Sequence, residues 1–435
     1  MKTVAFYTLG CKVNQYETEA ISEIFRKKGY TVVDFDDSSD VYVINTCTVT
    51  GLSARKSRQA IRRAKSRNPD SIVAVVGCYS QTAPQEVESI EGVDLVMGTR
   101  DRKGIVEHVE RIKSGSGRLS LVEDIMAARD FEELGVDTYK EHTRAFLKIQ
   151  EGCSQFCSYC IIPYARGPIR SRRREDVLAE VRKLAESGFR EVVLTGIHLA
   201  SYGKDLKGTS LIDIIHNIHD IDGIDRIRLG SVEPGTISAE FVESVRKLRK
   251  LCPHYHISLQ SGCDDTLKRM NRRYTTSQYR GIITLLRENI PDVAVTTDVM
   301  VGFPGETDRE FEQTYSFLNE ISFAKMHVFK YSPRKGTPAA GFPGQVGSEA
   351  KEERSKRLME LSDSKATEFN SGFVGRIMPV LVEQEVNSSK GFVEGLTANY
   401  IRTVSKGDNS YRGKIVDVRL DRAESGYAEG TIVIA

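Results

Sequence analysis

The sequence has no apolar run approaching the eighteen or so residues of a membrane-crossing helix, so no transmembrane span is expected. Its first residues, MKTVAFYTLGCK, lack the basic flank, long apolar stretch and small-residue cleavage site of a secretion signal. They read as a first β-strand, and a cytoplasmic location without membrane contact is expected. There is no internal repeat and no low-complexity tract, so no repeat array is expected. Charge of one sign is missing too: 62 Lys and Arg against 60 Asp and Glu leave a net charge of +2, so the molecule as a whole is no polycation. With 40% hydrophobic and 28% charged residues the composition is that of an ordinary globular protein. At about 150 residues per domain, 435 residues imply roughly three domains, with cores that need no disulfide staples.

What charge imbalance exists is local. Residues 55–67, RKSRQAIRRAKSR, hold seven basic residues and no acidic one, and a second cluster, RGPIRSRRR, spans residues 166–174. Each lies close to a cysteine site. Together they favour polyanion binding over two merely solvated faces.

Hydrophobic patterning divides the chain in three. Up to residue 115, candidate strands at 3–9, 41–46, 72–77 and 93–97 alternate with helical patterns at 15–28, 53–67 and 83–90. That alternation implies a parallel sheet covered by helices. Residues 115–140 lack a period and read as a linker. A second α/β series follows, with strands at 145–149, 192–195, 226–229, 256–260, 295–301 and 327–331 and helices such as 176–187 and 308–321. Six strand–helix units are too few for a complete eight-stranded barrel, so a partial, open (β/α)6 barrel is expected. A charged helix at 348–370 leads to short β-branched strands at 380–383, 391–394, 401–404, 414–419 and 428–434, a small all-β unit. The fold class is thus α/β with a terminal all-β domain, and the expected domains are 1–115, 139–370 and 372–435.

Eight cysteines in a reducing compartment point to metal ligation rather than disulfides. EGCSQFCSYC places Cys153, Cys157 and Cys160 at C-x3-C-x2-C spacing, directly after the first barrel strand. Three thiolates on a short loop wrap one face of an iron–sulfur cube and leave one of its four irons open for chemistry. The alternative, a zinc site, needs a fourth ligand, and none lies at a suitable local spacing. Cys11, Cys47 and Cys78 are separated by 36 and 31 residues, yet each directly follows a predicted strand. Loops at the C-terminal edge of a parallel sheet form one crevice, so these three can converge as a second open cluster. The alternative is three inert core thiols. Asn14 and Asn45 flank the same edge and are candidates to orient the thiolates. Cys252 and Cys263 have no partner spacing and read as non-ligands.

LGCKVNQYE, NTCTVT, GCYSQ, EGCSQFCSYCIIPYARGPIRSR and VGFPGE together resemble the radical-SAM methylthiotransferases, and the likeness covers essentially the whole chain. Within them, LGCKVNQYE and NTCTVT resemble the branch that modifies N6-threonylcarbamoyladenosine in tRNA. The resemblance implies an N-terminal methylthiotransferase domain, a radical-SAM core and a C-terminal TRAM domain that binds RNA. It implies two 4Fe-4S clusters and S-adenosylmethionine as cofactors, all six cysteines as catalytic cluster ligands, and Tyr159 near the adenine of S-adenosylmethionine. The implied reaction cleaves S-adenosylmethionine at the cluster on Cys153, Cys157 and Cys160 to a 5′-deoxyadenosyl radical. A methyl-capped sulfur carried at the cluster on Cys11, Cys47 and Cys78 is then inserted at adenine C2 of position 37. Radical chemistry suits this carbon, because no side-chain base can remove its hydrogen, and the protein's part is to hold clusters and base in register. The tRNA anticodon stem-loop and an electron donor such as flavodoxin or ferredoxin are the expected partners, with a monomer as the default.

Other residues are candidates by position at strand ends. Thr195 and Gly196 sit where backbone approaches a methionyl amino group; Ser231 and Glu233 suit a ribose or amino group; Gln260 ends the fourth strand and Asp298 lies in the fifth. Ordinary hydrogen bonding inside the barrel is the competing explanation for each. His198, His254 and His256 read as core or solvated histidines more readily than as acid–base groups. Arg272 or Arg273 is a candidate partner for a substrate phosphate or for the threonylcarbamoyl carboxylate, which arginine grips bidentately. In the terminal domain, Lys406, Arg412, Lys414 and Arg419 with Phe392, Tyr400 and Tyr411 suit single-stranded RNA; the aromatics equally suit that domain's core, and the resemblance to a TRAM domain favours RNA. Two rival functions remain compatible with the sequence: methylthiolation of a ribosomal-protein aspartate, and a non-catalytic RNA-binding iron–sulfur redox sensor.

Overall fold

The computed structural model describes residues 2–49, 51–135, 143–386 and 391–433. The end of the predicted linker (136–140), the expected start of the barrel domain at 139 and Ile434 of the last predicted strand lie outside the described residues. None of the helices described is long and apolar enough to cross a membrane.

The N-terminal unit is a six-stranded, all-parallel sheet in the order β2-β1-β3-β4-β5-β6. Its strands are β1 Thr3–Thr8, β2 Thr31–Val33, β3 Val41–Thr46, β4 Ile72–Gly77, β5 Leu95–Met97 and β6 Leu119–Leu121. β3 and β4 are buried along their whole length, as a central parallel strand covered on both faces must be. Helices α1 (Lys12–Lys27), α2 (Gly51–Arg67) and α3 (Cys78–Thr82) begin where β1, β3 and β4 end. Two strands escaped the sequence reading. β2 and β6 have three residues each and lie at the sheet edges, too short to show a period. β6 also turns part of the expected linker into the sheet's last strand.

The second unit is an open barrel of parallel strands. β7 (Arg144–Glu151), β9 (Glu191–Gly196) and β10 (Arg226–Leu229) form one half, with the two-residue β8 (Arg170–Ser171) antiparallel on β7. β11 (Ser231–Val232), β12 (His254–Ile257), β13 (Ala294–Val301) and β14 (Lys325–Lys330) form the other. Gly230 separates β10 from β11, so the two halves share one interrupted strand. Along β7, Ala145, Leu147 and Ile149 join the large apolar core beneath the outer helices. By strand alternation Phe146, Lys148 and Gln150 face the interior. The open side next to β7 is covered by α1, whose Glu17 reaches Lys148 at 3.0 Å.

The chain ends in a closed five-stranded barrel in the order β15-β16-β17-β19-β18, from β15 Ile377–Glu385, β16 Phe392–Thr397, β17 Arg402–Lys406, β18 Ile415–Glu424 and β19 Tyr427–Ile432. It caps the N-terminal ends of the larger barrel's strands. Arg226 donates to the carbonyls of Leu396 (2.9 Å) and Pro379 (2.7 Å), and Arg228 to that of Ala398 (2.9 Å). Glu191 balances this charge, 2.7 Å from Arg228, while Arg144 reaches across to Glu383. The Tyr400 ring stacks on His254 with centroids 4.2 Å apart. Tyr400 is therefore an interface residue, which corrects the reading of it as an RNA-stacking aromatic.

Arg228 is fully buried. Arg228→Met strips Glu191 of its closest cation and the terminal barrel of two hydrogen bonds. Breaking a buried pair in this way costs about 3–5 kcal/mol. The expected outcome in limited proteolysis followed by mass spectrometry is early release of residues beyond 371, with the N-terminal sheet still protected.

Candidate active site

Three cysteines meet at the C-terminal edge of the N-terminal sheet. Cys11 precedes α1, Cys47 follows β3 and Cys78 opens α3. Two glycines permit the approach. Gly10 has φ +115°, and a Cβ there would lie 3.1 Å from the Cβ of Cys47. Gly77 has φ +99°, and its Cβ would collide with Asn45 Oδ1 at 2.5 Å. Only glycine tolerates both conditions. Asn14 ties the two loops together, donating to the carbonyls of Leu9 (2.6 Å) and Thr46 (3.0 Å), and Asn45 donates to the carbonyl of Asn14 (3.1 Å). The asparagines thus hold the loops that carry the thiols.

The second triad lies on the loop after β7. The N–H of Cys153 donates to the carbonyl of Gly167 (3.0 Å), that of Cys160 to the carbonyl of Cys157 (2.9 Å), and that of Ser158 to the carbonyl of Met270 (3.0 Å). Arg272 directs one N–H to the Cys157 sulfur at 3.4 Å while gripping Glu233 at 2.5 Å. A cavity of about 540 Å³ opens here, with Cys157, Glu233, Arg272, Arg273 and Tyr274 in its wall. Tyr159 packs into an apolar cluster, edge-on to Phe303.

The donor sets suit clusters better than single ions. Among the described residues, the group that brings three ligand atoms within 4.8 Å of one another is Cys263, Asp265 and Glu310, and neither cysteine triad does so. Thiolates around one zinc sit about 3.8 Å apart for Zn–S bonds of about 2.3 Å. At least one sulfur pair in each triad is farther apart than one zinc allows, a spacing that the corners of a cube accommodate. Burial pushes the Cys78 and Cys160 thiols up to about 12 and Cys153 up to about 11. Such thiols hold their protons until an electropositive centre displaces them. The Cys263 group is already satisfied: Arg269 holds both oxygens of Glu310 (2.8 and 2.9 Å), and the thiol meets Gln313.

One buried ion network joins the two triads. Arg166 lies on the helix Ile162–Arg166 just after Cys160, yet its Nε donates to the Cys78 sulfur at 3.1 Å. Its Nη atoms bind Glu17 (2.6 and 3.1 Å) and Asn14 Oδ1 (2.6 Å). Lys148 bridges Glu17 (3.0 Å) and Glu151 (2.7 Å), and Arg102 adds a bond to Glu17 at 2.7 Å and another to Glu132. Three cations face three carboxylates, all nearly shielded from water. Glu17 is held well below the usual carboxylate range: Arg102, Arg166 and Lys148 overcome the opposing effect of its burial. Burial removes Arg166, Arg170 and Arg172 from the expected phosphate-binding cluster at 166–174, while Arg173 and Arg174 stand exposed. Arg172 pairs with Glu180 and Glu133. In residues 55–67 Arg58 pairs with Glu86, and Arg63 and Arg67 with Asp36, while Arg55, Lys56 and Arg62 stand exposed.

Thr195 is buried and donates to the Leu147 carbonyl (3.2 Å), and a Cβ on Gly196 would strike the Gln150 side chain at 2.9 Å. Ser231 is exposed. Gln260 has φ +70° and exchanges backbone bonds with Asp298 and Met300 (2.8 Å each). The Asp298 carboxylate lies 3.2 Å from His256 Nε2. His198 bonds Ser201 at 2.6 Å, and burial pulls its pKa down to about 4. Arg272 pairs with Glu233, and both Arg272 and Arg273 line the cavity. The sequence reading missed Glu17, Arg102, Lys148 and Glu151. The one available signal was a lysine at the centre of the apolar strand AFLKIQ.

An open parallel barrel with a C-x3-C-x2-C loop at the C-terminal end of its first strand defines a radical-SAM enzyme. Residues 147–318 match the Radical SAM superfamily, residues 3–98 the uncharacterized protein family UPF0004, and residues 373–433 the TRAM domain. The chain is similar to the threonylcarbamoyladenosine tRNA methylthiotransferases MtaB of Bacillus subtilis (45% identity; 100% of this chain, 97% of the relative) and Aquifex aeolicus (40%; 95% and 99%). It is also 35% identical to the tRNA-2-methylthio-N(6)-dimethylallyladenosine synthase of Acetivibrio thermocellus, over 99% of this chain and 91% of the relative. Among solved structures, the radical S-adenosylmethionine methyltransferase TsrM from Kitasatospora setae shares the fold, with a TM-score of 0.58 at 16% identity over 78% of this chain and 77% of that one. The chain belongs to the radical-SAM methylthiotransferase family.

Arg166→Met removes a cation from Glu17 and Glu151 together with the contact to Cys78. The expected cost is about 3–5 kcal/mol, and iron per chain after anaerobic reconstitution should fall to about half. Arg166→Lys, which restores charge without the Nε contact, should recover stability but not iron.

Proposed function

We propose that the protein methylthiolates C2 of N6-threonylcarbamoyladenosine at position 37 of tRNA, yielding 2-methylthio-N6-threonylcarbamoyladenosine, with S-adenosylmethionine as methyl donor and radical source. The observation that carries this reading is the pair of three-thiol sites joined through Arg166, a donor set for two 4Fe-4S clusters on one enzyme. When bound, these clusters and S-adenosylmethionine supply the electron, the 5′-deoxyadenosyl radical and the transferable sulfur.

The chain's own residues supply position. Cys153, Cys157 and Cys160 hold the first cluster, and Arg272 fixes Cys157 against Glu233. Cys11, Cys47 and Cys78 hold the second, with Asn14, Asn45 and Arg166 keeping its loops in place. Tyr159, Thr195, Gly196, Ser231, Glu233, Gln260 and Asp298 remain the candidate surroundings of S-adenosylmethionine. The exposed Lys406 and Lys414 of the terminal barrel and the outer face of α2 take RNA phosphates. A flavodoxin or ferredoxin delivers the electron, and the enzyme acts as a cytoplasmic monomer on the anticodon stem-loop.

Cys157→Ala should abolish 5′-deoxyadenosine formation in anaerobic assays with dithionite. Cys47→Ala should spare that cleavage and eliminate methylthio transfer, read by mass spectrometry of tRNA nucleosides. Equal loss of both activities, or a ribosomal protein rather than tRNA changing mass, would count against the proposal. Reversing Arg55 and Arg62 to Glu should weaken tRNA binding and flatten its salt dependence by about one to two units in log–log slope.

A further inference from the structure

Lys12 directly follows Cys11, at the first turn of α1. Consecutive Cα atoms lie about 3.8 Å apart, so its side chain is anchored beside the second cluster site. That side chain turns into the large barrel: the ammonium lies 5.9 Å from the centroid of the Phe146 ring, on the interior face of β7. Its ionisable neighbours are Arg144, Arg228, Glu191 and the Tyr400 phenol. The two arginines are already engaged, Arg228 with Glu191 at 2.7 Å and Arg144 with Glu383 at 2.5 Å. Arg226 also leans on Glu191, at 3.7 Å. The closed end of the barrel thus sets Lys12, Arg144, Arg226 and Arg228 against Glu191 and Glu383. Lys12 is half-buried, and among the described residues no carboxylate lies within ion-pairing distance of it. A partly dehydrated ammonium with surplus cations around it favours an entering anion.

We propose that Lys12 is a specificity-determining residue that binds the carboxylate of the substrate's N6 side chain. The inference rests on threonylcarbamoyladenosine being the substrate. C2 and the N6 substituent project from the same six-membered ring. C2 and C6 both flank N1, so a base that presents C2 towards the Cys11 site can set its N6 side chain towards the neighbouring Lys12. The other cation near this triad without a carboxylate partner among the described residues is Arg334. It lies in the field of Cys47, and its Nε is buried with no acceptor.

The test is equilibrium binding of two anticodon stem-loops to the anaerobically reconstituted enzyme. One carries the threonylcarbamoyl acid and the other its uncharged threoninamide. Wild type should prefer the acid by about tenfold or more, the size of one charge-assisted hydrogen bond. Lys12→Met should bring the acid-to-amide ratio near one, and Lys12→Arg should retain the preference. Because the ratio is taken within each variant, partial loss of cluster or fold cancels. A preference that survives Lys12→Met overturns the assignment, as does one that disappears only in Arg334→Met. If wild type fails to methylthiolate threonylcarbamoyladenosine tRNA at all, the substrate reading falls and takes the Lys12 assignment with it. That result is distinguishable from an active enzyme that is indifferent to the charge at residue 12.

Discussion

The contact between Arg166 and Glu17 is the constraint on which the two cysteine triads depend. Arg166 belongs to the loop of one triad, and Glu17 to the helix that starts beside a cysteine of the other. Both are fully buried. A charge in such a place is tolerable only with its counter-charges fixed around it, and Lys148, Arg102 and Glu151 provide them. The relative position of the triads is therefore set by an electrostatic lock added to the apolar packing of Tyr16 and Ala20 against the barrel core. For a reaction that must present one carbon to both a radical and a sulfur, that rigidity is what the protein contributes.

A second feature is the polarity of the barrel interior. Its outer face merges into one continuous apolar core, whereas the inner face carries Arg144, Lys148, Glu191, Arg226, Arg228, His256 and Asp298. Such a lining is costly unless each group is paired, and most are: His256 with Asp298 and Thr296, Arg228 with Glu191, Lys148 with two glutamates. Packing holds the chamber together from outside and leaves the inside free to be shaped for a charged, hydrogen-bonding ligand.

The parallel sheet, the partial barrel and the terminal β-barrel were legible because their central strands are long and their helices strongly periodic. The strands at 41–46, 72–77 and 226–229 were read to the residue. The cysteine triads were legible for another reason: each thiol follows a strand, and parallel topology brings strand ends together. The burial of Arg166, Arg170 and Arg172 was not legible. A run of arginines looks the same in sequence whether its partners are phosphates or, as for Arg166, a glutamate 149 residues away. Tyr400 misled in the same way, because an aromatic among basic residues does not reveal which surface it stacks on. The edge strands β2 and β6 were missed because three residues cannot show alternation.

The capping of the large barrel by the terminal domain has an evolutionary consequence. The turn between β16 and β17, with Tyr400 pressed on His254, forms the floor of the chamber while belonging to the module that handles RNA. Exchange of that module between relatives would replace the bottom of the cup along with the grip on the nucleic acid. Shuffling of an otherwise portable domain is therefore restrained here: a chimera inherits a new depth and charge beneath the base, and recognition of the RNA and of its modified nucleotide must drift together.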